Sequence, residues 1–150
     1  GTYGGDFAGT AKRWCKNFLR LDEGTRARLT LENDDKASMW SVRHLYDHIY
    51  KEVGVPIVFD YHHFRFCKGG QTEAEAVQMA ASTWPKGIKQ QCHHSNSKKK
   101  YEDPSVPKVS HSAWFYTPFE NYGEKVDVVL ECKAKERALF KYQKDFQQNG

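Results

Sequence analysis

The sequence predicts an α/β chain of parallel strands joined by helical crossovers, and three observations lead there. Stretches with helical periodicity alternate with short apolar runs of strand length. Those runs are almost continuously apolar, as in Pro56-Ile57-Val58-Phe59 and Val126-Asp127-Val128-Val129-Leu130, which suits a sheet buried on both faces. Each run ends on ionisable residues, where parallel sheets gather their sites.

The elements follow in order. Phe7, Ala11, Trp14, Phe18 and Leu21 recur at helical spacing and give a first amphipathic helix. Arg28-Leu29-Thr30-Leu31 reads as a short strand ending in Glu32-Asn33-Asp34-Asp35. Ser38 is placed to cap a second helix, whose apolar stripe is Val42, Leu45, Tyr46, Ile49 and Val53 and whose stop is Gly54. The 56–59 strand ends in Asp60-Tyr61-His62-His63. Thr72 and Glu75 make a capping box for a third helix that buries Val77, Ala80, Ala81 and Trp84. Ile88 to His93 is the next strand, and residues 95–110 form a Ser/Lys/Pro-rich loop. The 126–130 strand ends at Glu131, and a charged helix over 133–145 carries Ala138, Leu139 and Tyr142 on one side.

Composition removes several classes. The 150 residues are 39% hydrophobic and 14% aromatic, as in a chain that builds a core and unlike a disordered one. Cys15, Cys67, Cys92 and Cys132 are scattered without a CxxC, so they give neither a zinc ribbon nor a disulfide framework. No apolar run approaches the ~20 residues of a membrane span, nothing at the N-terminus resembles a signal peptide, and no nucleotide cofactor is expected. A net charge of +4 is mildly favourable for a polyanionic partner.

The strand ends carry the chemistry. Glu32, Asp60 with His62 and His63, His93 with His94, and Glu131 each follow an apolar run. Taken singly, a glutamate after a strand is ordinarily a solvated loop residue or a helix cap, and a lone histidine is structural. A structural sheet has no need of charge at four successive strand ends. Carboxylates and imidazoles gathered in one bowl suggest divalent metal, since burying acids together is costly without a cation.

The motifs LENDD at 31–35, FDYHHF at 59–64, CHHS at 92–95, HS at 111–112 and VVLECKAKERAL at 128–139 stand in the order and spacing of the UV damage endonuclease family, which the chain resembles. GTYGGD at 1–6 and RWCKNFLRL at 13–21 extend the resemblance over nearly the whole chain, the loop at 95–110 excepted. The resemblance implies a TIM (β/α)8 barrel. A complete barrel takes about 250 residues, so only the C-terminal half is expected here, as one partial domain over 1–150. It further implies metal ligands at Glu32, Asp60, His63, His93, His111 and Glu131, with Glu32, Asp60 and Glu131 as the catalytic carboxylates. The cations implied are Mn2+, with Zn2+ or Mg2+ as alternatives. Two further family histidines would lie before residue 1. Where the family often has lysine, this chain has Gln91, on the same strand face as His93. His62, Gln91 and His94 are expected to support the ligands rather than to be ligands.

The reaction implied is metal-dependent hydrolysis of the DNA backbone next to UV-induced lesions, with damaged double-stranded DNA as partner and an intracellular setting (nucleus, mitochondrion or cytoplasm). Lys98, Lys99 and Lys100 are candidates for phosphate contacts, and Trp114 and Tyr116 for stacking against an unpaired base. Barrel packing explains the aromatics equally well. Two alternatives stand beside this reading: a divalent-metal sugar isomerase or epimerase on a similar barrel, and a fragment that binds metal or DNA without cutting.

Overall fold

A computed structural model describes residues 5–146 of the chain, so part of the glycine-rich 1–6 segment lies outside the described residues. Helix α1 (Phe7–Phe18) starts where the Asp6 carboxylate accepts the Gly9 N–H, and it buries Ala11, Cys15 and Phe18. A single turn, α2 (Glu23–Arg26), is capped in the same way by Asp22.

Strand β1 is shorter than the sequence predicts, only Leu31–Glu32. Its expected first half is held in turns: the Arg28 N–H donates to Thr25 and that of Leu29 to Arg26, so the backbone is spent locally. The next helix is capped by Ser41, not Ser38. Residues 34–40 close a loop in which the Asp34 N–H donates to the Trp40 carbonyl at 2.7 Å. The buried Ser41 hydroxyl then accepts from the His44 N–H. This helix runs from α3 (Val42–Leu45) through a π-helical segment (Tyr46–Tyr50) into α4 (Lys51–Val53), and Gly54 ends it at φ +70°.

Strand β2 (Ile57–Asp60) is buried along its whole length. It leads into a short turn, α5 (Tyr61–Phe64), and then into α6 (Glu73–Ala81), which carries the expected Thr72–Glu75 capping box. Thr83 ties helix to strand, donating to the Ala80 carbonyl and accepting from the Ile57 N–H. Strand β3 (Gln90–His94) begins two residues later than expected, because Ile88 sits in a turn with its N–H on Pro85. The loop that follows contains a helical turn, α7 (Lys98–Tyr101), capped by Ser97. Strand β4 (Val126–Leu130) and helix α8 (Glu136–Phe146) complete the chain. Of the expected α8 stripe, Ala138 and Tyr142 are buried and Leu139 faces solvent.

The four strands are all parallel, in the order β1-β2-β3-β4. Helices cover one face and make the core with Ile57, Phe59 and Cys92. The sheet departs from burial on both faces at β3 and β4. Gln91 and Asp127 pair in register, as do His93 and Val129, and Gln91, Asp127 and Val129 point from the face opposite the helices into the open. Parallel pairing has a direct consequence for chemistry. Asp60 lies beside His93, and the Glu131 N–H donates to the His94 carbonyl, so every ionisable strand end emerges on one side.

Candidate metal centre

Asp60 is the most constrained member of the group. It is fully buried at the end of β2. Its Oδ1 accepts the N–H groups of His62 and His63 at 2.7 and 2.8 Å, capping α5. Its backbone is clamped by buried Asn33, whose amide donates to the Asp60 carbonyl and accepts its N–H. That clamp continues the β1–β2 pairing after the β1 ladder has ended. It leaves Oδ2 free, and this oxygen has no hydrogen-bond partner in the structure.

The other strand ends close around it. Glu32, Asp60 and His93 each offer a ligand atom, all within 4.8 Å of one another. Glu32 Oε1 lies 3.2 Å from His63 Nδ1 and 3.3 Å from His93 Nδ1. His93 Nδ1 also lies 3.3 Å from Glu131 Oε1, and Glu131 Oε2 lies 3.6 Å from His111 Nδ1. His111 reaches this position on a short extended segment. That segment bridges to Ser97 on one side, and the Lys133 N–H donates to Ser112 on the other. Three carboxylates and three imidazoles thus form one continuous chain of contacts.

Electrostatics agree with shared cations or shared protons. Burial pushes the Asp60 carboxyl up to about 7. Burial works the same way on Glu32, but the bonds from His63 and His93 prevail and hold its carboxyl well below the usual range. Burial lowers His63, yet its contact with Glu32 and the charge of Asp60 lift it to about 9. Contact with Glu32 raises His93 as well, whereas burial lowers His111. A buried acid kept near neutrality, next to an imidazole nitrogen and an unpartnered carboxylate oxygen, is a donor set short of positive charge. The orphaned Asp60 Oδ2 and His93 Nδ1 therefore fit a divalent cation. His63 fits too. With Nδ1 donating to the Asn33 carbonyl at 2.8 Å, Nε2 is the nitrogen that a cation would take in exchange for its proton.

Residues 1–149 match the sequence model of a family described as UV-endonuclease UvdE. The chain belongs to the UV-endonuclease UvdE family. It is 34% identical over 146 residues to the UV-damage endonuclease of Schizosaccharomyces pombe, with 91% of this chain and 24% of that protein covered. It is 31% identical to the UV DNA damage endonuclease of Bacillus velezensis, with 94% and 44% covered. The crystal structure of SacUVDE superposes with a TM-score of 0.77 at 24% identity, over 99% of this chain and 50% of that one. This UvdE-family chain therefore spans less than half the length of those two relatives. Its fold is α/β, and its four parallel strands are consistent with part of a TIM barrel.

Other residues singled out in this UvdE-family sequence take varied places. His62 and His94 are buried, and burial lowers both to about 4, so they are neutral. Each directs Nε2 at a loop carbonyl, of Val109 and Thr117 respectively. Gln91 points from the open sheet face, on the same side as His93. Lys99 donates to the carbonyls of Pro104 and Val106 and so staples its own loop. Lys98 is half-buried, and the Lys100 ammonium lies over the Tyr101 ring. Trp114 packs against the α8 cluster beneath Arg137, and Tyr116 stacks flat on Tyr101 at 4.7 Å.

Sequence reasoning gave no role of their own to Asn33, Asn96 and Glu102. Asn96 and Glu102 hold the loop that carries His111. Glu102 Oε1 accepts the N–H groups of Ala113 and Trp114 and the Tyr116 hydroxyl. Asn96 accepts from Tyr116 and Thr117. Asn33 had a signal, a polar residue inside an otherwise strand-like motif; Glu102 had none.

Proposed function

We propose that this chain is the C-terminal, metal-binding half of a DNA repair endonuclease that cuts the phosphodiester backbone beside UV-induced lesions in double-stranded DNA. The observation that carries the proposal is the convergence of Glu32, Asp60 and Glu131 with His63, His93 and His111 at one end of the sheet. The names of the relatives support the substrate. An intracellular setting follows from that substrate, and among the described residues no helix is long and apolar enough to cross a membrane.

In this reading Glu32, Asp60, His93 and Glu131, together with His63 and His111, would hold the divalent cations. Mixed carboxylate and imidazole donors favour Mn2+, with Zn2+ or Mg2+ as alternatives. When bound, the cations supply water activation and neutralise charge on the attacking and leaving oxygens. The chain's own residues do the placing. Asp60 keeps Oδ2 aimed into the site because Oδ1 is fixed by two backbone N–H groups and the backbone by Asn33. Glu131 spans His93 and His111 through its two oxygens, so it couples the ends of β3 and β4 to the His111 segment.

The test is nicking of UV-irradiated duplex by the intact protein with Mn2+ present. Glu131→Gln keeps the shape of the side chain and removes its charge, and it is expected to slow nicking by ~100-fold or more. A Glu131→Gln protein that nicks at the full rate would overturn the proposal.

A further inference from the structure

The loops after β2 and β3 make a second feature beside the ligand set. Arg65 and Phe66 leave α5, and the loop around α7 brings Lys100, Tyr101 and Lys108 against them, around an open cleft of about 430 Å3. No acidic side chain lines it. Among the described residues Arg65, Lys100 and Lys108 have no carboxylate within ion-pair distance, although the chain forms such pairs elsewhere at Lys51, Lys89 and Lys141. Two of the cations lie over aromatic rings. The Lys108 ammonium is 5.5 Å from the Phe66 centroid, and that of Lys100 is 4.8 Å from Tyr101.

The cleft shares a wall with the metal centre. The ring of His62 lies 4.9 Å from His111 and 5.2 Å from Phe66, and its Nε2 is bonded to the carbonyl of Val109, next to Lys108. Four cations, Arg65, Lys99, Lys100 and Lys108, line one hollow without an anion and repel one another. Resting Lys100 and Lys108 on aromatic faces lowers the entropy lost when they grip a ligand. An open cleft with no enclosed floor suits a strand that runs through it better than a small anion.

We propose that Arg65, Lys100 and Lys108 grip backbone phosphates of the DNA beside the metal centre, an assignment that rests on the nuclease reading above. Lys99, committed to its own loop, is not part of the grip.

The test is fluorescence anisotropy of labelled, undamaged duplex with the intact protein, from 50 to 200 mM salt. Each phosphate contact contributes ~0.9 to the slope of log affinity against log salt. The triple variant R65Q/K100Q/K108Q is expected to lose about 2.7 from that slope. Its deficit against the parent then widens by ~40-fold between 200 and 50 mM salt. The charge-conserving R65K/K100R/K108R is expected to keep the parental slope. An unchanged slope in the first variant overturns the cleft, as does an equal loss in the second. If millimolar inorganic phosphate abolishes the difference between parent and triple variant, the cleft takes a free anion and the proposal also falls. The nuclease reading is scored separately, by Mn2+ affinity and by nicking of irradiated duplex at saturating DNA. A parent that binds DNA with the full slope but never nicks sinks that reading and leaves the cleft in place.

Discussion

At the residue scale, the site holds titratable groups pushed in opposite directions, and each leaves a mark on stability. His63 keeps its proton to about 9 in the folded chain against an ordinary 6.5. Its contribution is complete below pH 6.5 and is lost as pH rises through 9. Asp60, raised from 3.8 to about 7, acts in the same sense: the folded chain holds that proton more tightly, and the advantage fades between pH 4 and 7. His62 and His94, lowered to about 4, act oppositely and withdraw stability as pH falls from 6.5 through 4. With chelator present, the melting temperature is therefore expected to peak near pH 6 to 7 and to fall towards both 4 and 9. On the proposed ligand set Mn2+ would compete with the protons on His63 and Asp60, so the stabilisation it gives is expected to grow as pH rises over the same range. Melting curves at five or six pH values, with chelator and with Mn2+, check both limbs. A chelated protein whose melting temperature keeps climbing from pH 7 to 9 contradicts the assignment for His63.

At the element scale, placing His111 depends on an irregular segment. Residues 110–112 are held between the chain at 96–98 and the start of the α8 approach. Glu102 locks the turn that follows, through three donors on one oxygen. Removing that carboxylate in Glu102→Ala costs about 1–3 kcal/mol, since two N–H groups lose a charged acceptor. It is also expected to weaken Mn2+ binding by about 10- to 100-fold while the helical circular dichroism stays as it was. Calorimetric titration with Mn2+ decides the matter. Full affinity in a folded Glu102→Ala protein would mean that His111 needs no clamp. This clamp was beyond the reach of the sequence, because Glu102 acts on residues eleven to fourteen positions away through an irregular turn without periodicity. Asp60 and Glu131 were legible for the opposite reason: each ends an apolar run whose direction parallel pairing fixes, whereas His93 ends a largely polar strand and was legible through the CHHS motif. The boundaries were less legible. Ser38 and Ser41 look alike as caps, and only the turn closed by Asp34 and Trp40 sets the helix start at Ser41.

At the scale of the whole molecule, the four-stranded sheet has two edges and, at β3 and β4, one uncovered face. In the chain as described, β1 offers one edge and β4 the other. Strand β4 is a regular run of five residues, VDVVL, and nothing at its outer edge blunts the backbone: it contains no proline, and Asp127, its single charge, points from the sheet face and pairs with Lys89. On the uncovered face Val129 is 41% exposed, and on the helix beyond it Phe140 is 66% exposed. Open parallel edges with apolar residues near them recruit further strands. The 150-residue chain prepared alone is therefore expected to self-associate at micromolar concentration, with the β4 edge as the seam. Charged substitution at Val129, as Val129→Lys, places a cation on the face that must close and is expected to shift the population towards monomer. Sedimentation velocity over a tenfold range of concentration reads this directly. A monomer at every concentration with a sharp, cooperative melt would show that these edges are protected by the chain itself. An unchanged distribution in Val129→Lys would place the seam elsewhere, at β1, where the strand is two residues long and has fewer unpaired groups to offer.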